Sequence, residues 1–137
     1  MMNFIKKSLG LLNAAEGFIH IFIACIGFWG IFATGIYDWR IISAPAINLV
    51  LGVFSIFTGY ILLYDKVGIL KKILAILNTL EGIIHIVVAL IGYWGIFAYM
   101  VFDWRIWATP TEHLFFGLFS ILTGYILGKN HHHHHHH

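Results

Sequence analysis

The stretch LNAAEGFIHI at residues 12–21 returns as LNTLEGIIHI at residues 77–86. Laid without gaps at an offset of 65, residues 6–65 match residues 71–130 at more than half of all positions. The lysine pair Lys6/Lys7 returns at Lys71/Lys72, WGIFA at Trp29 returns at Trp94, DWRI at Asp38 returns at Asp103, and FSI-x-TGYIL at Phe54 returns at Phe119. The chain therefore divides into a first repeat over 1–65, a second over 66–130, and a run of seven histidines over 131–137 that reads as a purification tag.

Each repeat contains two long apolar runs. They span roughly Leu9–Thr34 and Ala46–Leu63, then Ile73–Met100 and Leu114–Leu127, near the length of about 20 apolar residues that crosses a bilayer. Lysines followed by an apolar stretch resemble a secretory signal, but the same run recurs where no signal can stand, so the first run is expected to be kept. Two crossings return the chain to its starting side, so both repeats share one orientation. The expected fold is an all-α integral membrane protein. Two tandem helical hairpins, parallel in orientation, form a four-transmembrane-helix bundle about a pseudo-twofold axis along the membrane normal. An inverted repeat would need an odd number of spans per unit.

Composition agrees. The chain is 60% hydrophobic and 10% charged, where soluble domains carry about a quarter charged residues. The lipid bilayer is the expected partner, with a homo-oligomer as a further option. A formal charge of +2 gives no basis for nucleic-acid binding. The single cysteine, Cys25, cannot form an intramolecular disulfide.

Positive charge sets the expected orientation. Lys6, Lys7, Lys66, Lys71, Lys72 and Lys129 fall on one side, which places both termini in the cytoplasm. The other side carries Arg40 and Arg105 in the two DWR corners, with Trp29, Trp39, Trp94, Trp104 and Trp107 clustered as an interfacial belt. Pro45 and Pro110 suit the starts of the second and fourth helices, where a missing N–H costs little.

On a helix, residues three and four apart share a face. Asn13, Glu16, His20, Ala24 and Gly27 form one stripe on the first helix, and Asn78, Glu81, His85, Ala89 and Gly92 repeat it on the third. The second and fourth helices carry small residues instead, Gly52, Ser55, Gly59 and Gly117, Ser120, Gly124. Such residues let membrane helices approach closely. The expected bundle sets helices one and three across the axis with their polar stripes facing, braced by the other two. Fourteen residues separate Lys6 from His20, a rise of about 21 Å that reaches deep into hydrocarbon. Charges there face inward and find partners.

Glu16, His20, Glu81 and His85 then converge. Two carboxylates and two imidazoles suit a single zinc, iron or manganese ion, with Asn13 and Asn78 one turn below to orient them. No further acid is expected from helices two and four, which argues against a two-iron centre of the Glu-x-x-His type. His20 and His85 at equal depth also suit the axial positions of a b-type haem, although no arginine is placed for its propionates. A Glu/His relay in a proton-coupled transporter or channel is a third option. The fourth is plain interhelical hydrogen bonding, Glu16 to His85 and Glu81 to His20, each worth about 1 kcal/mol or less. Whether the protein is an enzyme stays open, since an ion catalyses only if it keeps an open position.

The remaining candidates carry weaker signals. Asp38 with Arg40, and Asp103 with Arg105, read as local ion pairs, or as a rim for a headgroup. Ser55, Thr58 and Tyr60, with Ser120, Thr123 and Tyr125, are candidates to reach the polar centre, although both tyrosines suit the inner aromatic belt better. Glu112 and His113 break the repeat, where Ile47 and Asn48 stand in the first copy. Next to Pro110 they read as a surface pair in a helix's first turn, or as a one-sided metal contact at the mouth.

Overall fold

A computed structural model describes the backbone over residues 2–64 and 68–135, and side chains over 4–64, at 69 and over 72–128. The described residues form four helices: α1 (Met2–Thr34), α2 (Trp39–Tyr64), α3 (Gly68–Tyr99) and α4 (Trp104–His135). The division at residue 65, the charge of Lys66, and the side chains of Lys71, Lys129 and the tag lie outside the described residues.

Three helices are long and apolar enough to cross a membrane, over Phe4–Thr34, Trp39–Tyr64 and Lys72–Tyr99. The polar run Thr109–His113 lowers the hydropathy of α4. Large apolar side chains cover the outward faces, among them Phe18, Phe22, Phe57, Leu90 and Phe115. An apolar exterior around a polar centre is the pattern of a chain solvated by lipid.

The two aspartates of the DWR corners set the helix starts. Asp38 Oδ1 accepts the Arg40 backbone N–H at 2.8 Å, and Asp103 Oδ1 accepts that of Arg105 at 2.9 Å. Each is an N-cap that satisfies one of the orphan donors of a first turn. This corrects the expected placement of the prolines. Pro45 and Pro110 lie inside α2 and α4 rather than at their starts, because the caps begin the helices more than a turn earlier. Each proline leaves a carbonyl one turn back without its helical donor.

Helix α1 ends on Gly35, whose φ of 71° is the left-handed cap conformation, with its N–H bonded to the Ile31 carbonyl at 2.8 Å. At the matching position α3 ends on Met100, with φ 54°. A methionine takes this conformation at a cost that glycine avoids.

Helices α1 and α2 pack along most of their length, as do α3 and α4. Glycine permits the close approach. A Cβ on Gly17 would lie 2.6 Å from the Gly52 carbonyl oxygen, and one on Gly82 would lie 2.7 Å from that of Gly117. Across the bundle α2 and α4 take the short diagonal, while α1 and α3 make no Cα approach within 8 Å among the described residues. Side chains alone reach from α1 to α3, and the polar stripes supply them.

Apolar layers close both ends. At the corner end Ile31, Ile41, Ile96 and Ile106, one from each helix, form a buried cluster. At the other end Leu62, Leu74, Ala75 and Leu127 form a second. Between them lies the polar centre.

Candidate functional site

Each polar stripe faces inward as its spacing requires. Asn13, Glu16 and His20 are buried on α1, and Asn78, Glu81 and His85 on α3. The imidazoles meet on the axis, with His20 Nε2 and His85 Nε2 2.8 Å apart. Each ring is fixed by its own helix. His20 Nδ1 lies 2.7 Å from the Glu16 carbonyl oxygen, and His85 Nδ1 lies 2.7 Å from that of Glu81. A carbonyl only accepts, so both Nδ1 atoms carry hydrogen and donate. In two neutral rings both Nε2 atoms would then present bare lone pairs to each other. Nitrogens at hydrogen-bond distance in that state repel unless a cation lies between them. A contact of 2.8 Å has the length of a hydrogen bond with one proton held between the two rings.

Two residues expected at the surface lie at this centre instead. His113 is 0% exposed and Glu112 6%. Glu112 Oε2 stands 3.0 Å from His20 Nε2, an ion-pair distance, without the alignment that would satisfy the oxygen as a hydrogen-bond acceptor. His113 Nε2 donates to the Ala44 carbonyl at 2.8 Å, which leaves its buried Nδ1 as a lone pair with no partner. Its ring centroid is 5.0 Å from that of His85 and 6.3 Å from that of His20. The expectation that no further acid comes from the fourth helix is corrected by Glu112. The cause of both corrections is the helix start. Counted from Pro110, His113 falls in a first turn; counted from the Asp103 cap, it lies nearly three turns in.

One residue from each helix makes up this layer: His20, Asn48, His85 and His113, all 0% exposed. Asn48 lies beside Glu112 and interacts with its carboxyl group, short of an ideally aligned hydrogen bond. Phe116 closes the layer against the His20 ring, with centroids 4.8 Å apart.

The other acids stand one turn away. Glu81 Oε2 accepts a hydrogen bond from Ser55 Oγ at 3.3 Å, while Glu16 Oε2 has no partner. Neither forms the expected interhelical bond to a histidine. Among the described residues, no group of three or more His, Cys, Asp or Glu is arranged as it stands to hold a metal ion. Asn13 and Asn78 turn back on their own helices, each donating to the carbonyl four residues earlier at 2.8 Å. Ser120 and Thr58 are buried, whereas Tyr60 and Tyr125 are exposed and stand away from the centre.

The DWR corners are locked separately. Arg40 pairs with Asp38 at 2.7 Å and Arg105 with Asp103 at 2.6 Å. Each guanidinium also lies over a tryptophan of the opposite helix pair, Arg40 over Trp94 at 4.6 Å and Arg105 over Trp29 at 4.8 Å. The corners therefore clasp the two pairs to each other. Arginine bonding holds the carboxyls of Asp38 and Asp103 below the usual aspartate range.

Compared with known protein families, with curated proteins and with solved structures, the chain matches none, so the chemistry of the buried layer carries the functional reading.

Proposed function

We propose that this chain is a multi-pass membrane protein of four spans, two tandem hairpins in a common orientation with both termini cytoplasmic, whose sealed centre binds one divalent metal ion. The ligands are His20, His85, Glu112 and His113, a set that suits zinc, iron or manganese. The observation that carries the reading is the state of the three imidazoles. Each spends one N–H on a backbone carbonyl. That is how ligating histidines are oriented, with the second nitrogen left for the metal. Glu112 adds a buried carboxyl group 3.0 Å from His20 Nε2, and a carboxylate at that depth is held beside a cation.

For the His20–His85 pair the rearrangement required is small. Two nitrogens on one tetrahedral ion, each at about 2.0–2.1 Å, stand about 3.3 Å apart. The His20–His85 separation of 2.8 Å must widen by about half an ångström to reach that value. A haem fits worse, because its two axial nitrogens lie about 4 Å apart with a macrocycle between them. Apolar layers at both ends suit a resident ion better than a continuous pathway.

Elemental analysis of the detergent-solubilised protein, after tag removal, tests the reading. The expected result is one ion per chain, lost in His20→Ala, His85→Ala and Glu112→Gln and retained in Glu81→Gln. Absence of metal after loading with zinc, iron and manganese in turn would overturn it. A second reading, a proton-linked carrier, is favoured by the His20–His85 contact itself, since 2.8 Å is the length of a hydrogen bond with a shared proton. Proton flux in vesicles, with no metal bound in any form, would establish that reading instead.

A further inference from the structure

The charges of this chain are sorted by depth. At the corners Arg40 with Asp38, and Arg105 with Asp103, cancel within themselves. Glu16, Glu81 and Glu112 are buried in the centre. Every lysine of the sequence falls at the opposite ends of the apolar runs, with Asp65 the one acid among them. We infer that this end binds the headgroups of anionic phospholipids, through Lys6 and Lys7 on α1 and through Lys71 and Lys72 on α3. The inference rests on the membrane-spanning reading and is independent of the metal.

Depth supports it first. Twenty-three residues separate Lys6 from Trp29, and Lys71 from Trp94, each a helical rise of about 35 Å. Trp29 and Trp94 are exposed and mark one interface. The hydrocarbon is about 30 Å thick, and the headgroup regions bring a bilayer to about 40–45 Å. The lysines therefore reach the phosphate level of the other leaflet. Exposed Tyr60 and Tyr64 mark the same end.

Charge supports it next. Among the described residues, no carboxylate pairs with Lys6, Lys7 or Lys72. Neither α1 nor α3 has an acid in its first turn. Lys7 and Lys72, equivalent positions of the repeat, are exposed, and Lys6 is half-buried. Positive charge left uncompensated at one end of a span is met by an anionic leaflet. The arginines at the corner end are spent on their aspartates, so that end offers no such surface. Because α1 and α3 make no close backbone approach among the described residues, the two lysine pairs form two separate patches, and each takes its own lipid.

The test is native mass spectrometry of the full chain, tag removed, released from micelles that carry equal phosphatidylglycerol and phosphatidylcholine. The expected wild type retains two phosphatidylglycerol molecules, favoured over phosphatidylcholine by about fivefold for each lysine in contact. Lys6→Gln with Lys7→Gln removes one of them, and Lys71→Gln with Lys72→Gln removes the other. Arginine at the same four positions keeps both. Inorganic phosphate should displace them no better than chloride at matched ionic strength. Greater displacement by phosphate would make free phosphate the ligand and overturn the lipid assignment. Glutamine variants that retain phosphatidylglycerol as wild type does would overturn it too. Equal retention of the two lipids by a chain that needs detergent would remove this inference alone. A chain that stays soluble without detergent would remove the spans and this inference together.

Discussion

Helices α2 and α4 do the same mechanical work and different chemistry. Both begin on an aspartate cap, both carry an internal proline, and both lean a glycine against the partner helix at nearly equal distance. They part company over two adjacent positions at the centre, Ile47 and Asn48 on α2 against Glu112 and His113 on α4. Where the repeat is kept, it serves packing and the corner clasps. Where it is broken at these two positions, the residues on α4 are buried beside the histidine pair. A substitution that brings a carboxylate and an imidazole into a lipid-solvated core is costly for the fold alone, so the chemistry of the centre accounts for it best.

Making α4 resemble α2 is the strongest way to break that comparison. The double variant Glu112→Ile with His113→Asn keeps the helix face and removes two proposed ligands. On the proposed metal reading it is expected to fold and to hold no metal in elemental analysis, because His20 and His85 alone do not retain an ion in the presence of a chelator. Metal retained at wild-type stoichiometry would mean that the asymmetry has no bearing on the ion.

Much of this was legible from residue spacing. The stripes of α1 and α3 face inward because apolar surroundings leave Glu16, His20, Glu81 and His85 no other place, and the glycines of α2 and α4 mark the close contacts. Glu112 and His113 were hidden by one local misreading. Pro110 suggested a helix start, and a first-turn glutamate is an ordinary surface feature. Two signals pointed the other way. Asp103 followed by Trp104 and Arg105 is itself a cap sequence, and Asn48 at the position matching His113 puts a polar residue at this depth in both copies. The tautomers of the three histidines were not legible at all, since they depend on which carbonyl each ring meets.

The contacts that the two pairs share should respond alike. Gly17→Ala sets a methyl 2.6 Å from the Gly52 carbonyl oxygen, and Gly82→Ala sets one 2.7 Å from that of Gly117. Backbone must move in both cases. Each is expected to destabilise the bundle by about 1–3 kcal/mol, measured by thermal or denaturant unfolding in detergent. A difference beyond about 1 kcal/mol between them would show that the two pairs pack unequally despite their shared geometry.

A smaller asymmetry lies at the helix ends. Met100 adopts the cap conformation that Gly35 adopts in the first copy. Met100→Gly should therefore stabilise by about 1 kcal/mol, and Gly35→Ala should cost a similar amount. Unfolding midpoints of the two variants check the opposite signs. No gain in Met100→Gly would mean that the methionine side chain contributes packing that offsets its backbone cost.

The smallest expected difference is between the two corners in acid. Both aspartate carboxyls are held below their ordinary range, mainly by hydrogen bonds from Arg40 and Arg105. A depressed carboxyl contributes stability that is fully present above its unfolded value of about 3.9, and that is lost as pH falls through the lower folded value. The corners are therefore intact at neutral pH and open only under strong acid. They should not open together. The Tyr99 hydroxyl adds a further bond to Asp38, whereas the residue matching Tyr99 in the first copy is Thr34, which spends its hydroxyl on the Gly30 carbonyl at 2.8 Å. Asp103 should protonate first. Trp29 lies under Arg105 and Trp94 under Arg40, so the two tryptophans report the two corners. In acid titrations followed by fluorescence, Trp94→Phe, which keeps Trp29, should show its transition at higher pH than Trp29→Phe. Tyr99→Phe should bring the two transitions together, and if their order reversed, the tyrosine could not be what separates the corners.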